Sequence, residues 1–295
     1  MTKVHQASFN QAYRRYIDSL GAALPATLGM NKSTHVAEVC LDPVNPNSSE
    51  KAVVKHFRYA DKGWANEYIA WTLAQSLGVC TAPRAALLIG NTSEITQDHG
   101  RELLSATKYD DGLFVLWCAS AIVPTDPLQQ VYGHSWERAV LRVDAGRLLG
   151  ALDGWTANCD RIAANALYWS SRGSLVAIDH EKLAFNKDWT IAPVDHDDEK
   201  LDAAGKPLEQ TRLLAVLVAA KKSKDKQIKR FASTAADAMF EHSKTQHPIA
   251  LAACRHIIQE LVEDNFSKLA SKNLFTFLDY RLTEDCQKRR FGLLT

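Results

Sequence analysis

The hydrophobic pattern of this chain changes near residue 110, and that change most constrains the fold. Before it, short runs rich in β-branched residues alternate with Gly, Pro, Asn and Ser, which is typical of strands and turns. After it, apolar residues recur every three or four positions over long stretches, which is typical of amphipathic helices. The sequence therefore predicts an α+β protein of two lobes, β-rich over residues 1–109 and mostly helical over 110–295.

Individual elements can be placed within this plan. The first lobe is expected to run β, β, α, β, β, with strands at 35–41, 52–57, 83–90 and 101–109. Its helix is expected at 64–78, because Gly78 and then Pro83 mark a helix end. In the second lobe we expect a helix over 138–155, a hairpin formed by NALYW and SLVAID around the turn SSRG, and several helices from Leu208 onward.

Charge and cysteine usage limit the classes of partner. The 35 Lys and Arg residues nearly balance 34 Asp and Glu residues, so no global charge attracts nucleic acid or anionic membrane. The six cysteines are spaced singly, without the CxxC pairs of zinc sites, and are interpreted as reduced thiols. No stretch approaches the roughly 20 apolar residues of a membrane span. We expect a cytoplasmic protein with no membrane partner.

Two charged runs can be interpreted either as solvent-exposed surface or as functional sites. The basic run KKSKDKQIKR, residues 221–230, would suit nucleic acid or an acidic protein. It lacks interleaved aromatic residues that stack on bases, so a solvated helix end or loop is favoured and nucleic acid is not expected. The acidic run DHDDE, residues 195–199, is interpreted as an exposed loop rather than a metal site.

The segment between the helix and the hairpin carries an acid and an amide five residues apart, Asp160 and Asn165. A loop of this length lets the carboxylate face a substrate hydroxyl while the amide oxygen reaches a metal ion. These are two requirements of phosphoryl transfer from ATP, which depends on positioning and charge neutralisation.

The hairpin adds a third residue to this group. If residues 170–173 form the turn, Trp169 faces Ser174, and the register brings Asn165 beside Ile178 and Asp179. Because Mg²⁺ prefers hard oxygen ligands, the amide of Asn165 and the carboxylate of Asp179 are predicted to share one magnesium ion.

A lysine and a glutamate in the first lobe form a second candidate pair. Lys55 lies in the middle of an apolar strand, and Glu67 lies on the apolar stripe of the following helix. An inward charge is costly unless it is paired, so Lys55 is the expected partner and would be held for contact with phosphates. If the helix were rotated by one position, Glu67 would instead be a surface residue, and a lone strand lysine is usually solvent-facing.

Four segments in order resemble the HipA-like kinases, which are related to the protein-kinase and phosphoinositide-kinase fold. They are VVKHF, NEYIAWTLAQSLGVCTAP, DGWTANCDRIAANALYW and SLVAIDHEKLAF, within about residues 29–186. The most specific part is N-x-D-R-x-x-x-N followed by I-D-H. The resemblance implies a serine/threonine protein kinase that uses ATP and Mg²⁺. It makes Lys55 the strand lysine, Glu67 its helix partner, Asp160 the catalytic base, and Asn165 and Asp179 the metal ligands.

The chain departs from ordinary protein kinases in two places. The loop LGMNKSTH has one glycine instead of GxGxxG. Hydrogen bonds to the ATP phosphates are therefore expected from Lys32, Ser33 and Thr34. His180 follows Asp179 where ordinary kinases have the Phe of DFG, and the resemblance implies that His is accepted in this branch.

Other functions fit the same residues. A kinase-shaped module would bind nucleotide and a partner protein without transferring phosphate, and a kinase-like enzyme would instead act on a lipid or small molecule or transfer AMP. The chemically competent Lys55, Asp160, Asn165 and Asp179 favour an enzyme. The expected partner is a protein substrate, and a regulatory partner protein stays an open alternative. The family's toxin–antitoxin and stress-response settings predict no partner for this chain.

Overall fold

The computed structural model describes residues 34–39, 41–42, 45, 48, 50–91, 112–120, 125–158, 161, 165–169, 171–181, 183 and 212–293. The chain forms two compact units, one of Met1–Trp64 with Ala82–Val123 and one of Ala65–Thr81 with Pro124–Thr295. An N-terminal antiparallel sheet is followed by a mostly helical C-terminal part. The predicted α+β class is confirmed.

The first unit is built on a four-stranded antiparallel sheet in the order β1-β2-β4-β3. Its strands are β1 (Thr34–Val39), β2 (Glu50–Arg58), β3 (Ala85–Asn91) and β4 (Leu113–Ser120). In β2, Ala52, Val54 and His56 are buried and alternate with more exposed neighbours, as expected when a sheet has one covered face. β4 is buried along most of its length because it pairs on both sides.

The sheet of the first unit includes a strand beyond residues 109/110, where the sequence places the boundary between the lobes. The strand Leu113–Ser120 pairs with both β2 and β3, so the sheet continues beyond that point and the first unit ends at Val123. The expected strand at 101–109 lies outside the described residues. The segment Ala65–Thr81, expected in the first lobe, belongs to the second unit, where the Asn66 side chain donates to the Glu181 carbonyl at 2.7 Å.

Helix α1 (Gly63–Ser76) closely matches the helix predicted at 64–78. Every residue from Gly63 to Ala70 is buried, whereas Gln75 and Ser76 at the end of the helix are exposed. Gly78 follows in the left-handed region at φ +69°, a conformation that suits glycine after a helix end.

The second unit combines a small sheet with seven α-helices among its described residues beyond α1. The sheet has the order β5-β6-β7 and consists of β5 (Thr125–Pro127), β6 (Ala166–Trp169) and β7 (Ser174–Ala177). The helices are α2 (Leu128–Tyr132), α3 (Trp136–Val140), α4 (Asp144–Thr156), α5 (Arg212–Lys221), α6 (Lys226–Asn265), α7 (Lys268–Tyr280) and α8 (Glu284–Arg290), with a 3₁₀ turn at Gly133–Ser135. The predicted helical character is confirmed for residues 212–293. Among the described helices, none combines the length and apolar character required to cross a bilayer.

The helix predicted over 138–155 is interrupted. α3 ends at Val140 and α4 begins at Asp144, because Val143 adopts an extended backbone at φ −103° and ψ 150°. Gly146 then packs so closely that a Cβ atom there would lie 2.0 Å from the Val140 carbonyl oxygen. The prediction of one continuous helix was therefore wrong, and the close turn depends on a glycine.

The basic run at 221–230 spans the end of α5 and the start of α6. Five of its basic side chains are exposed: Lys222, Lys224, Lys226, Lys229 and Arg230. Asp225 caps α6, and its carboxylate accepts hydrogen bonds from the backbone N–H groups of Gln227 and Ile228 at 2.7 and 3.2 Å. The run therefore lies on exposed ends of two helices, and this exposure alone assigns no partner to it.

Two histidines of α6 lie in a poorly hydrated environment. The His247 ring is 1% exposed, stacks on Trp155 with a centroid distance of 4.6 Å, and meets the His242 ring at 5.6 Å. Within the described part of the chain, neither Nε2 atom has a hydrogen-bond partner. Desolvation lowers the pKa of both rings, and in His247, whose pKa falls well below 6.5, the charges of His242 and Arg290 add to the effect.

Acidification below the ordinary histidine pKa should therefore destabilise the protein. Between about pH 6.5 and the lower folded-state pKa, the unfolded chain binds a proton that folded His247 does not. The free energy of unfolding should fall by up to about 1.4 kcal/mol per pH unit for this residue. Urea unfolding from about pH 7.5 to about 5.5 checks this, and His247→Gln should flatten the curve. The exposed His256→Gln is the matched control, and an equally flat curve for that variant would contradict the assignment.

Candidate functional site

The β6–β7 hairpin brings Asn165 next to the start of the segment that contains Asp179. Trp169 pairs with Ser174, as the sequence predicted. At the other end of the hairpin, the Ile178 backbone N–H donates to the Asn165 carbonyl oxygen at 3.4 Å. The predicted placement of Asn165 beside Ile178 is confirmed, and Asp179 is the next residue along the chain.

Asp179 has an unusual backbone conformation, with φ +59°. Asp is one of the few residues that tolerate this left-handed region, which persists only where the surroundings hold it. Both neighbours of Asp179 are held. The Ile178 carbonyl accepts a hydrogen bond from Arg161 at 2.6 Å, and the His180 N–H donates to Glu67 Oε2 at 3.0 Å.

The fully buried Arg161 side chain connects helix α4 to this end of the hairpin. Its Nη1 donates to the carbonyl oxygens of Asn165 and Ile178. Its Nε and Nη2 donate to the two carboxylate oxygens of Asp153, at 2.9 and 2.8 Å. One planar guanidinium thus fixes the last turn of α4 relative to the backbone that flanks both predicted metal ligands.

The Asp153–Arg161 ion pair is fully buried on both sides. Burial raises the pKa of the Asp153 carboxyl, and the charge and hydrogen bonds of Arg161 oppose that rise. Desolvation lowers the pKa of Arg161, but Asp153 outweighs it and the net shift is upward, so the guanidinium stays charged. A carboxylate that receives three donors, including Asn158 Nδ2 at 3.4 Å, is the form that this site accommodates.

The His180 ring completes the surroundings of this pair. Its Nδ1 lies 3.3 Å from both Asn158 Nδ2 and Arg161 Nη2. Since both of these groups are hydrogen-bond donors, Nδ1 accepts, and we infer a neutral ring with its proton on Nε2. The histidine at the position after Asp179 therefore has a role in orienting Arg161 and Asn158.

Glu67 is buried, at 3% exposure, as expected for a residue on the apolar stripe of its helix. Its carboxylate accepts the His180 N–H and so contributes to the conformation around Asp179. The pairing of Glu67 with Lys55 remains a prediction, because Lys55 belongs to the other unit.

In the first unit, the structure brings two of the predicted phosphate-binding residues together. Lys55 in β2 is half-buried and lies directly opposite Thr34 in β1 and Trp117 in β4. Directly opposed residues share a face of the sheet, so Thr34 and Lys55 are neighbours. Lys32, Ser33 and Asp160 lie outside the described residues, as does the acidic run at 195–199.

The residues of the second unit fit a magnesium ion chemically. Asp179 and Glu67 act electrostatically on Arg161, as does Asp153, so the negative charge of three carboxylates stabilises this guanidinium. The described residues contain no cluster of three His, Cys, Asp or Glu side chains that could hold a metal. Mg²⁺ commonly uses one or two protein ligands together with water and substrate phosphates, which is what Asn165 and Asp179 would offer.

Four residues that organise this site received no role from the sequence: Asp153, Asn158, Arg161 and His180. Asp153 offered one signal, since it is an acid within the otherwise apolar helix end LLGALDGW. Its partner, Arg161, follows eight residues later. No hydrophobic period in the sequence relates these two positions.

No family model matches the sequence, and no curated protein matches it significantly. Among solved structures, the proinflammatory kinase CtkA of Helicobacter pylori is similar, with a TM-score of 0.49 and 13% identity over 92% of this chain and 96% of that one. WaaP in complex with acyl carrier protein has a TM-score of 0.38 and 13% identity over 85% and 92%. At these values, neither similarity assigns an activity or a site residue to this chain.

Proposed function

We propose that this chain is an ATP- and Mg²⁺-dependent phosphotransferase with a protein-kinase-like fold, of the HipA-like serine/threonine kinase type. The observation that carries the proposal is the arrangement of Asn165 and Asp179 at one end of the β6–β7 hairpin, with the flanking backbone held by Arg161. Phosphoryl transfer requires such preorganised oxygen ligands more than it requires covalent chemistry.

The proposal gives each part of the site a task. Asn165 and Asp179 would hold magnesium, which neutralises phosphate charge when bound. Asp160 would orient or deprotonate the acceptor hydroxyl. Two described residues near it in sequence, Asn158 and Arg161, both donate to the Asp153 carboxylate.

The β-rich unit would supply the phosphate contacts. Lys55 would neutralise phosphate charge, with Thr34 opposite it and Lys32 and Ser33 just before Thr34 in sequence. Phosphate oxygens accept hydrogen bonds from ammonium groups, hydroxyl groups and backbone N–H groups. The proposed acceptor is a serine or threonine of a protein.

Incubation of the purified protein with Mg²⁺ and γ-labelled ATP, alone and with cell lysate, tests this proposal. Label should appear on the protein itself or on one lysate band. Asp160→Ala should reduce the transfer rate by about 10²–10⁴-fold, the usual contribution of a general base, while ATP still raises the melting temperature.

The other outcomes separate the alternatives. Label from α-labelled but not γ-labelled ATP would indicate AMP transfer, and label in extracted lipid or small molecules would indicate a different acceptor class. A shift in melting temperature without any transfer would indicate a nucleotide-binding module. Neither transfer nor a shift would refute the proposed nucleotide site.

A further inference from the structure

The end of helix α4 depends on groups outside the helix. The last carbonyls of any α-helix lack partners within it. In α4, the Asp153 carbonyl accepts the backbone N–H of Asn158 at 3.0 Å. The next two carbonyls, of Gly154 and Trp155, accept hydrogen bonds from arginine side chains near the C-terminal end of the described chain.

Those arginines are Arg281, directly after α7, and Arg290, at the end of α8. Arg281 is 1% exposed, and it donates from Nε to the Trp155 carbonyl at 2.9 Å and from Nη2 to the Gly154 carbonyl at 2.5 Å. Arg290 donates to the Gly154 carbonyl and to the Arg281 carbonyl. Positive charge at a helix C-terminus also interacts favourably with the helix dipole.

The last turn of α4 also contacts α7, and it contains Asp153, the residue that pairs with Arg161. The buried Trp155 indole donates to the Leu278 carbonyl at 3.2 Å. Asp153, one residue before Gly154, holds the Arg161 guanidinium. A shift of this turn would therefore move Asp153, and with it the hydrogen bonds that Arg161 makes to the hairpin.

We propose that Arg281 and Arg290 are positioning residues of the proposed phosphotransfer site. They hold the last turn of α4, and through the Asp153–Arg161 pair they set the hairpin end that carries the predicted metal ligands. The catalytic consequence rests on the proposed function, but the positioning itself is measurable without any activity.

Hydrogen exchange at two backbone amides tests the positioning directly. The Ile178 and His180 amides donate to the Asn165 carbonyl and to Glu67, so their exchange reports how firmly this region is held. Arg281→Lys keeps the charge but loses the planar fork of donors. Exchange at both amides should become about tenfold faster in the folded protein, well below its unfolding temperature. Arg290→Lys provides the same test if Arg281→Lys does not fold.

Arg255→Met is the matched control for general loss of stability. Arg255 pairs with Asp279 at 2.5 Å and lies over the Phe275 ring, so it ties α6 to α7 without contacting α4. Exchange at Ile178 and His180 should stay at the wild-type rate in this variant. If both variants accelerated exchange equally, the arginines would be ordinary stability contacts and the inference would be overturned.

Kinetics provide the functional arm. In Arg281→Lys we expect kcat to fall about 10–100-fold with little change in the KM for ATP, as for residues that orient metal ligands. Arg255→Met should keep the wild-type kcat, and a wild-type kcat in Arg281→Lys would contradict the catalytic consequence. If the wild-type protein transferred no phosphate, the proposed function would fail while the exchange comparison would still decide the positioning.

Discussion

Replacing Arg161 by methionine should lower the free energy of unfolding by about 3–5 kcal/mol, the usual cost of removing one partner from a buried ion pair. The Asp153 carboxylate would remain fully buried and would lose two of the three hydrogen-bond donors described above. The carbonyls of Asn165 and Ile178 would lose a donor as well. Urea unfolding monitored by circular dichroism measures the change.

A double-mutant cycle makes this result specific to the pair. Asp153→Leu combined with Arg161→Met removes the stranded charge, so the double variant should be more stable than the sum of the two single losses predicts. Lys288→Met is the matched control, because its ion pair with Glu284 is exposed and its loss should leave unfolding nearly unchanged. A loss below about 1 kcal/mol for Arg161→Met would show that the pair does not hold this region.

Asp179→Asn should abolish most phosphate transfer without unfolding the protein. The amide has the size of the carboxylate and tolerates the backbone at φ +59°, but it lacks the negative charge that the proposed magnesium site requires. We expect the transfer rate to fall by at least about 10²–10³-fold, with a melting temperature close to that of the wild type.

A second substitution separates charge from conformation. Asp179→Ala loses the same carboxylate and also tolerates the left-handed backbone less well, at an additional cost of roughly 1–2 kcal/mol in stability. Both variants should be inactive, and the alanine variant should also melt earlier. Wild-type transfer by Asp179→Asn, measured over a range of Mg²⁺ concentrations, would refute its assignment as a metal ligand.

Sequence reasoning succeeded where a local pattern determined the outcome. The turn residues SSRG fixed the pairing of Trp169 with Ser174, and the two-residue period of strands then placed Asn165 beside Ile178. The position of Glu67 on the apolar stripe of a helix correctly indicated that it is buried.

It did not succeed where distant contacts decided the structure. The break between α3 and α4 depends on the approach of Gly146 to Val140, while each residue there is individually compatible with a helix. β4 joins a sheet whose other strands come from earlier in the chain, a pairing that no local pattern shows. The cap formed by Arg281 on Gly154 links residues 127 positions apart, and no sequence period relates them.

The set of hydrogen bonds that Arg161 makes also has an evolutionary consequence. Because one guanidinium serves Asp153, two backbone carbonyls and the environment of His180, a change at position 161 alone strands a buried acid. Substitutions at positions 153 and 161 should therefore occur together rather than independently. In any set of homologous chains, an apolar residue at one of these positions should coincide with an apolar residue at the other. The two positions should therefore covary in an alignment of such chains.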